Sequence, residues 1–153
     1  MSLPVVIQER IERSFGLFRD LVECIDADAL RSKLPGLPSN AVGMQLWCVV
    51  GARESYAQAI KAGQWAGFTC SLEVTTQKTA VAQALCRSAE GLLTELGGMD
   101  AFTDVQHRLV VDLLEHEAAH QGQLIRYLYG LRLPIPESWK SRFALEDHSP
   151  RLG

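Results

Sequence analysis

LVVDLLEHEAAHQGQLIRYLYGL, running from Leu109 to Leu131, decides how the rest of the chain is read. Wound as a helix at about 100° per residue, it places Leu109, Leu113, Leu124, Tyr127 and Leu131 on one stripe, with His116 and His120 inside that stripe. Two imidazoles therefore point at the core, where each costs about 1–3 kcal/mol without a partner. Histidines at i and i+4 hold two ring nitrogens side by side on a rigid rod, as two ligands of a tetrahedral or octahedral metal site require. The alternative is a pair of structural histidines that bond to carbonyls or carboxylates of a neighbouring helix. The doubled cost of burial favours a metal.

The ends of this helix are also written in the sequence. Thr103 and Gln106 form a capping-box pair at its start, and Gly130 followed by Pro134 and Pro136 stops it. Beyond it, Trp139 and Phe143 lie at i and i+4 of a short amphipathic piece expected to pack on the bundle, and residues 148–153 are expected to fray.

Three further helices precede it. Ile7, Ile11, Phe15, Phe18, Val22 and Ile25 recur at spacings of four and three, which predicts a helix over about residues 4–26. Pro35, Gly36 and Pro38 break the chain after it, so residues 27–39 form a long connection with at most one helical turn, and the next helix is free to lie away from the first. Ser39 or Asn40 is expected to cap a second helix over about 40–62. Its Met44–Ala52 half carries no charge and is apolar all round, which predicts burial on every side. Arg53 and Glu54 follow as a solvated edge or the rim of a pocket. The loop GQWAGFTCSLEV brings Trp65 and Phe68, expected to fold back as a lid over the end of the bundle or to meet a partner. Thr75 or Thr76 opens a third helix with Val81, Leu85, Leu92 and Leu96 inward, ended by left-handed glycine at Gly97 or Gly98. No alternating strand pattern interrupts this order, so the fold class is all-α, a four-helix bundle in a single domain over 1–147.

Composition closes off other classes. A chain of 153 residues with 47% hydrophobic and 22% charged residues can bury a core without disulfides. Cys24, Cys48, Cys70 and Cys86 are widely spaced and read as reduced thiols. A formal charge of −3 with interleaved signs offers no basic stripe, so neither nucleic acid nor an anionic membrane is an expected partner. With no membrane-length apolar run and no signal-peptide order at MSLPVVIQER, the expected location is the cytoplasm.

His116-Glu-Ala-Ala-His120 also satisfies HExxH, in which the glutamate activates a zinc-bound water. Glu117 sits about 100° from His116 and about 60° from His120, on the flank of the stripe. It is read either as that base, making a small zinc hydrolase, or as a salt-bridge group. No sheet precedes the motif to line a peptidase cleft, which weighs against the hydrolase. His107 and His148 are read as solvated.

EHEAAHQGQLIRYLYGL and the preceding SNAVGMQLWCVVGARESY resemble, over nearly the whole chain, the DinB-like superfamily of small metal-binding four-helix bundles. The resemblance implies an up-down-down-up bundle, with which the long connection between helices 1 and 2 agrees, and a homodimer. It implies a divalent metal, zinc or nickel, on His116 and His120. The third ligand of the family is a histidine on the second helix, and the position that matches it here is Cys48. A thiolate there would favour zinc over harder ions, while a buried cysteine is equally at home as core filler. Asp112 and Tyr127 are expected to support the site, Asp112 and Glu117 as reserve ligands or as acceptors that orient the imidazoles. Trp65, Phe68, Tyr127 and Trp139 are available as apolar walls for a small-molecule substrate. The activity implied is transfer or isomerisation on a small molecule with a low-molecular-weight thiol, whose pKa an open metal position would lower. The competing reading is a non-catalytic bundle that binds a ligand or partner, with Cys48 marking a decayed site.

Overall fold

The computed structural model describes residues 2–151, and no strand occurs among them. α1 spans Val5–Cys24, a 3₁₀ turn Ala27–Arg31, α2 Val42–Ala62, α3 Lys78–Gly97, α4 Asp104–Gly130 and α5 Glu137–Phe143. The apolar stripe of α1 is buried at Ile11, Phe15, Phe18 and Val22, and Ile25 just beyond it is buried too. Both halves of the capping box at α4 form, Thr103 accepting from the Gln106 N–H and Gln106 from the Thr103 N–H.

α1 packs against α3 and α4, and α2 against α3 and α4, so α1 and α2 face each other across the diagonal. The 3₁₀ turn, capped by Asp26 accepting from the Ala29 N–H at 3.0 Å, lies within the long link that carries the chain across. Two core clusters run the length of the bundle. One joins the C-terminal halves of α1 and α4 to the N-terminal halves of α2 and α3, through Leu21, Leu46, Leu85 and Leu124 among others. The second joins the opposite halves, through Ile11, Ile60, Leu92 and Leu113.

α2 therefore ends at the end of the bundle opposite to the start of α3, and the segment 63–77 must run back along it. At about 1.5 Å per residue the 21 residues of α2 span about 30 Å, which an extended chain of that length covers easily. The contacts follow this path in order. The Thr69 N–H donates to Ser55 Oγ at 2.9 Å, the Ser71 N–H to Glu54 at 2.8 Å, and the Cys70 thiol to the Trp47 carbonyl at 3.4 Å. A Cβ at Gly51 would collide with the Phe68 ring, and one at Gly43 with the Thr75 carbonyl. The segment thus covers the outer side of α2, which explains a helix that is apolar all round. Trp65 and Phe68 do not close the end of the bundle as expected. They lie along the side of α2, Phe68 against Trp47 and Trp65 against Tyr56, each pair with centroids 5.3 Å apart.

Several local expectations are corrected. Ser39 does not cap α2, since its hydroxyl accepts from the Leu34 N–H in the preceding turn. Asn40 does not cap it either; its side chain is engaged elsewhere, and α2 follows Ala41 with no side-chain cap. α3 starts after Gln77 rather than at Thr75 or Thr76. Gly98 ends it with φ −81°, not left-handed; the left-handed residues that close long helices are Gly63, φ 74°, after α2, and Arg132, φ 50°, after α4. Met44 is 40% exposed, so the apolar half of α2 is not covered on every side. α5 does pack on the bundle. Trp139 is fully buried, meets Phe18 edge-on and donates its indole N–H to the Leu17 carbonyl at 2.7 Å. Leu152 and Gly153, in the tail expected to fray, lie outside the described residues, while Ser149 accepts from Arg132 at 2.7 Å. Among the described residues no helix is long and apolar enough to cross a membrane.

Candidate metal centre

His116 and His120 on α4 meet Cys48 on α2, and one ligand atom from each lies within 4.8 Å of the others. His116 Nε2 is 3.2 Å from His120 Nε2 and 3.5 Å from Cys48 Sγ. With zinc bonds of about 2.05 Å to nitrogen and 2.3 Å to sulfur, a tetrahedron has N···N edges of about 3.3 Å and S···N edges of about 3.6 Å. The two measured edges match that figure, so the residues fit a zinc-sized ion. Two imidazoles and one thiolate are also the donor types that zinc and nickel accept and calcium or magnesium do not. Cys48 and His116 are half-buried at this group, and three protein donors leave a position for a further ligand.

Their protonation follows from burial. Burial pulls His120 down to about 4, with the neighbouring His116 adding to the shift. Burial lowers His116 as well, against the pull of the Glu117 carboxylate. Both rings are therefore neutral near pH 7, as ligands must be. Burial pushes the Cys48 thiol up, so without a cation beside it the group is an S–H. His120 Nδ1 lies 2.6 Å from Gln45 Oε1, while His116 Nδ1 is buried without a hydrogen bond.

Glu117 does not face this group. It is 1% exposed and takes the Arg53 guanidinium side-on, Nε to Oε1 at 2.6 Å and Nη2 to Oε2 at 3.2 Å. Ser14 donates to Oε2 at 2.8 Å and itself accepts from Gln121 at 2.7 Å, while Arg53 Nη1 donates to the Leu85 carbonyl at 3.1 Å. All four long helices thus contribute to one buried polar network, and Arg53 completes it by lying 4.1 Å over the Phe15 ring. With both oxygens held by Arg53, Glu117 has no role as the water-activating base of an HExxH hydrolase or as a reserve ligand. The salt-bridge reading of Glu117 stands. Arg53, expected at a solvated edge or the rim of a pocket, is 1% exposed and lines a cavity between α1 and α3. Glu54 alone takes the surface position, bonded to Ser71.

The other candidates separate. Asp112 is exposed on the outer face of α4 and is not part of the metal group. Tyr127 lies behind it: its hydroxyl donates to Asn40 O at 2.6 Å and Oδ1 at 2.9 Å, one residue pair removed from His120. Trp139 is fully buried against α1 and cannot wall a pocket at the metal group. Phe68 packs on Trp47 and covers Gly51, one turn beyond Cys48 on α2. His107 stacks on Phe102 at 5.5 Å, and His148 bonds to the Leu133 carbonyl at 2.7 Å, so neither is simply solvated. Gln45 beside His120 and the pairing of Arg53 with Glu117 are not anticipated by the sequence reading. Gln45 had a signal: it is the one polar side chain in an uncharged run, one turn before Cys48.

A separate cavity of about 450 Å³ opens between α1 and α3, lined by Phe15, Gly16, Val22, Leu85, Cys86 and Leu93 among others, and shares no residue with the metal group. Compared with known proteins, the chain matches no protein-family model and no curated protein.

Proposed function

We propose that this chain is a DinB-like metal protein that holds zinc or nickel on Cys48, His116 and His120 and uses it on a small molecule. The observation that carries the reading is the convergence of one thiol and two neutral imidazoles from two helices at spacings of 3.5 and 3.2 Å. The two core clusters support the up-down-down-up order, because the ends of α1 and α4 share one cluster with the starts of α2 and α3.

A bound ion would supply Lewis acidity that lowers the pKa of a small-molecule thiol and presents it as a nucleophile in transfer or isomerisation. The chain's own residues would do the rest. Cys48 contributes a negative donor that offsets the ion's charge, His116 and His120 arrive neutral, and Trp47 and Phe68 offer apolar surface beside Cys48. Glu117 takes no part, which separates this reading from hydrolysis.

The test is elemental analysis of untagged protein after reconstitution with zinc or nickel, alongside Cys48→Ala and a His116→Leu, His120→Leu double variant. About one metal per chain, weakened in the first variant and abolished in the second, is the expected result. A parent that holds no metal would leave the histidines as core hydrogen-bonding groups and end the proposal.

A further inference from the structure

His120 is held from behind by a chain of hydrogen bonds that no metal ligand belongs to. Gln45 Oε1 lies 2.6 Å from His120 Nδ1. An amide oxygen only accepts, so the proton between them sits on Nδ1, and Nε2 carries the lone pair. Which end of the Gln45 amide faces the ring is fixed in turn, because its NH₂ donates to Asn40 Oδ1 at 2.8 Å. Asn40 Oδ1 is committed as an acceptor a second time by the Tyr127 hydroxyl at 2.9 Å, which also reaches the Asn40 carbonyl at 2.6 Å. His120 thus donates to Gln45, and Gln45 and Tyr127 both donate to Asn40 Oδ1, an arrangement in which every amide oxygen accepts.

We infer that Gln45 is the positioning residue of the site: it locks His120 in the Nδ1–H form, aims the bare Nε2 at His116 and Cys48, and is itself oriented by Asn40 and Tyr127. The inference rests on the metal reading for its purpose but not for its geometry. Free imidazole carries its proton on either nitrogen, and in the Nε2–H form His120 would present a hydrogen where a ligand lone pair is needed. The two histidines differ in this respect, since His116 Nδ1 is buried without a partner. His120 is therefore the ring whose tautomer the fold has chosen. Gln45 and Asn40 belong to the start of α2 and the residues before it, and Tyr127 to the last turns of α4, so the device spans the same two helices as the metal group.

The experiment reads the tautomer directly. Long-range ¹H–¹⁵N correlation spectra of the histidine rings, recorded on the metal-free full chain at pH 7.5, distinguish a protonated from a bare nitrogen. The parent is expected to show His120 with Nδ1–H and bare Nε2, Gln45→Leu a mixture or the reverse form, and Gln45→Glu, which keeps an acceptor against Nδ1, the parental form. Zinc affinity measured by chelator competition is expected to fall about 10–100-fold in Gln45→Leu, less in Tyr127→Phe, and to recover in Gln45→Glu. A parental His120 protonated on Nε2 would overturn the inference, as would a Gln45→Leu protein with unchanged tautomer and affinity. A parent that shows Nδ1–H yet binds no zinc upholds the role of Gln45 and refutes the metal reading instead. Should Gln45→Leu fail to fold, the parental spectrum and Tyr127→Phe decide.

Discussion

The buried Arg53–Glu117 pair makes a prediction opposite to that of the HExxH motif it interrupts. As a catalytic base, Glu117 could be replaced with loss of activity and little loss of stability. As the partner of a guanidinium that is 1% exposed, it cannot. Arg53→Met leaves a carboxylate buried with Ser14 alone, and Glu117→Leu leaves the guanidinium with one carbonyl and the Phe15 face. Each single replacement is expected to cost about 3–5 kcal/mol, the range for removing one member of a buried pair. The double variant restores a neutral, apolar centre and is expected within about 1–2 kcal/mol of the parent, after loss of the hydrogen bonds to Leu85 and Ser14. Urea unfolding followed by circular dichroism gives the four free energies of the cycle, and a coupling of several kcal/mol is the expected signature. For a chain of this size the single variants should melt about 6–20 °C lower. Single variants that each cost under about 1 kcal/mol, or costs that simply add, would refute the assignment of Glu117 to the core.

Four further outcomes follow from the geometry. Zinc binding at pH 7.5 should release about one proton per site, taken from Cys48, because both histidines are already neutral; calorimetry in buffers of different ionisation enthalpy measures it. Without metal, the His120 contribution to stability should fall as pH drops from about 6.5 to about 4. The unfolded chain protonates His120 near 6.5 and the folded chain only near 4, so the unfolded state binds more protons across that window. Gly43→Ala should destabilise by about 1–3 kcal/mol in thermal melts despite alanine's higher helix propensity, because the new Cβ meets the Thr75 carbonyl, which is backbone and cannot swing away. Trp139→Ala should cost about 3–5 kcal/mol in urea unfolding, which would show that α5 belongs to the cooperative core.

The helices were legible where a single helix's own periodicity or chemistry decides. The Thr103–Gln106 capping box, the inward stripe of α1 and the four core positions of α3 depend on residues within a turn or two of one another. Cys48 was placed opposite the histidines only through resemblance, because no periodicity within α2 or α4 states how the two helices are offset. The same gap hid Arg53. On α2 it is a charge following an apolar run, and nothing local says that α4 brings a carboxylate to within 2.6 Å of it. Trp65 and Phe68 read as a lid because large apolar side chains in a loop must fold back on something, and the loop itself does not say on what. That it lies along α2 depends on α2 and α3 running the same way, a relation between elements far apart in sequence.

His116 and Glu117 are neighbours in sequence and belong to different systems. A step of about 100° around α4 carries the chain from the half-buried group shared with α2 to the sealed network at the centre of the bundle. The consequence is a division of labour within one turn. The central network ties Ser14, Arg53, Glu117 and Gln121 to the backbone at Leu85, so it fixes how the four helices are set against one another. The two helices that carry Cys48, His116 and His120 are thereby registered by Arg53 and Glu117 five and one residues further along, which leaves Gln45 only the aim of the His120 ring to set. An HExxH pattern gains a different meaning in this setting. Its glutamate aligns the rod that presents the histidines, and it does so from a buried position on the helix.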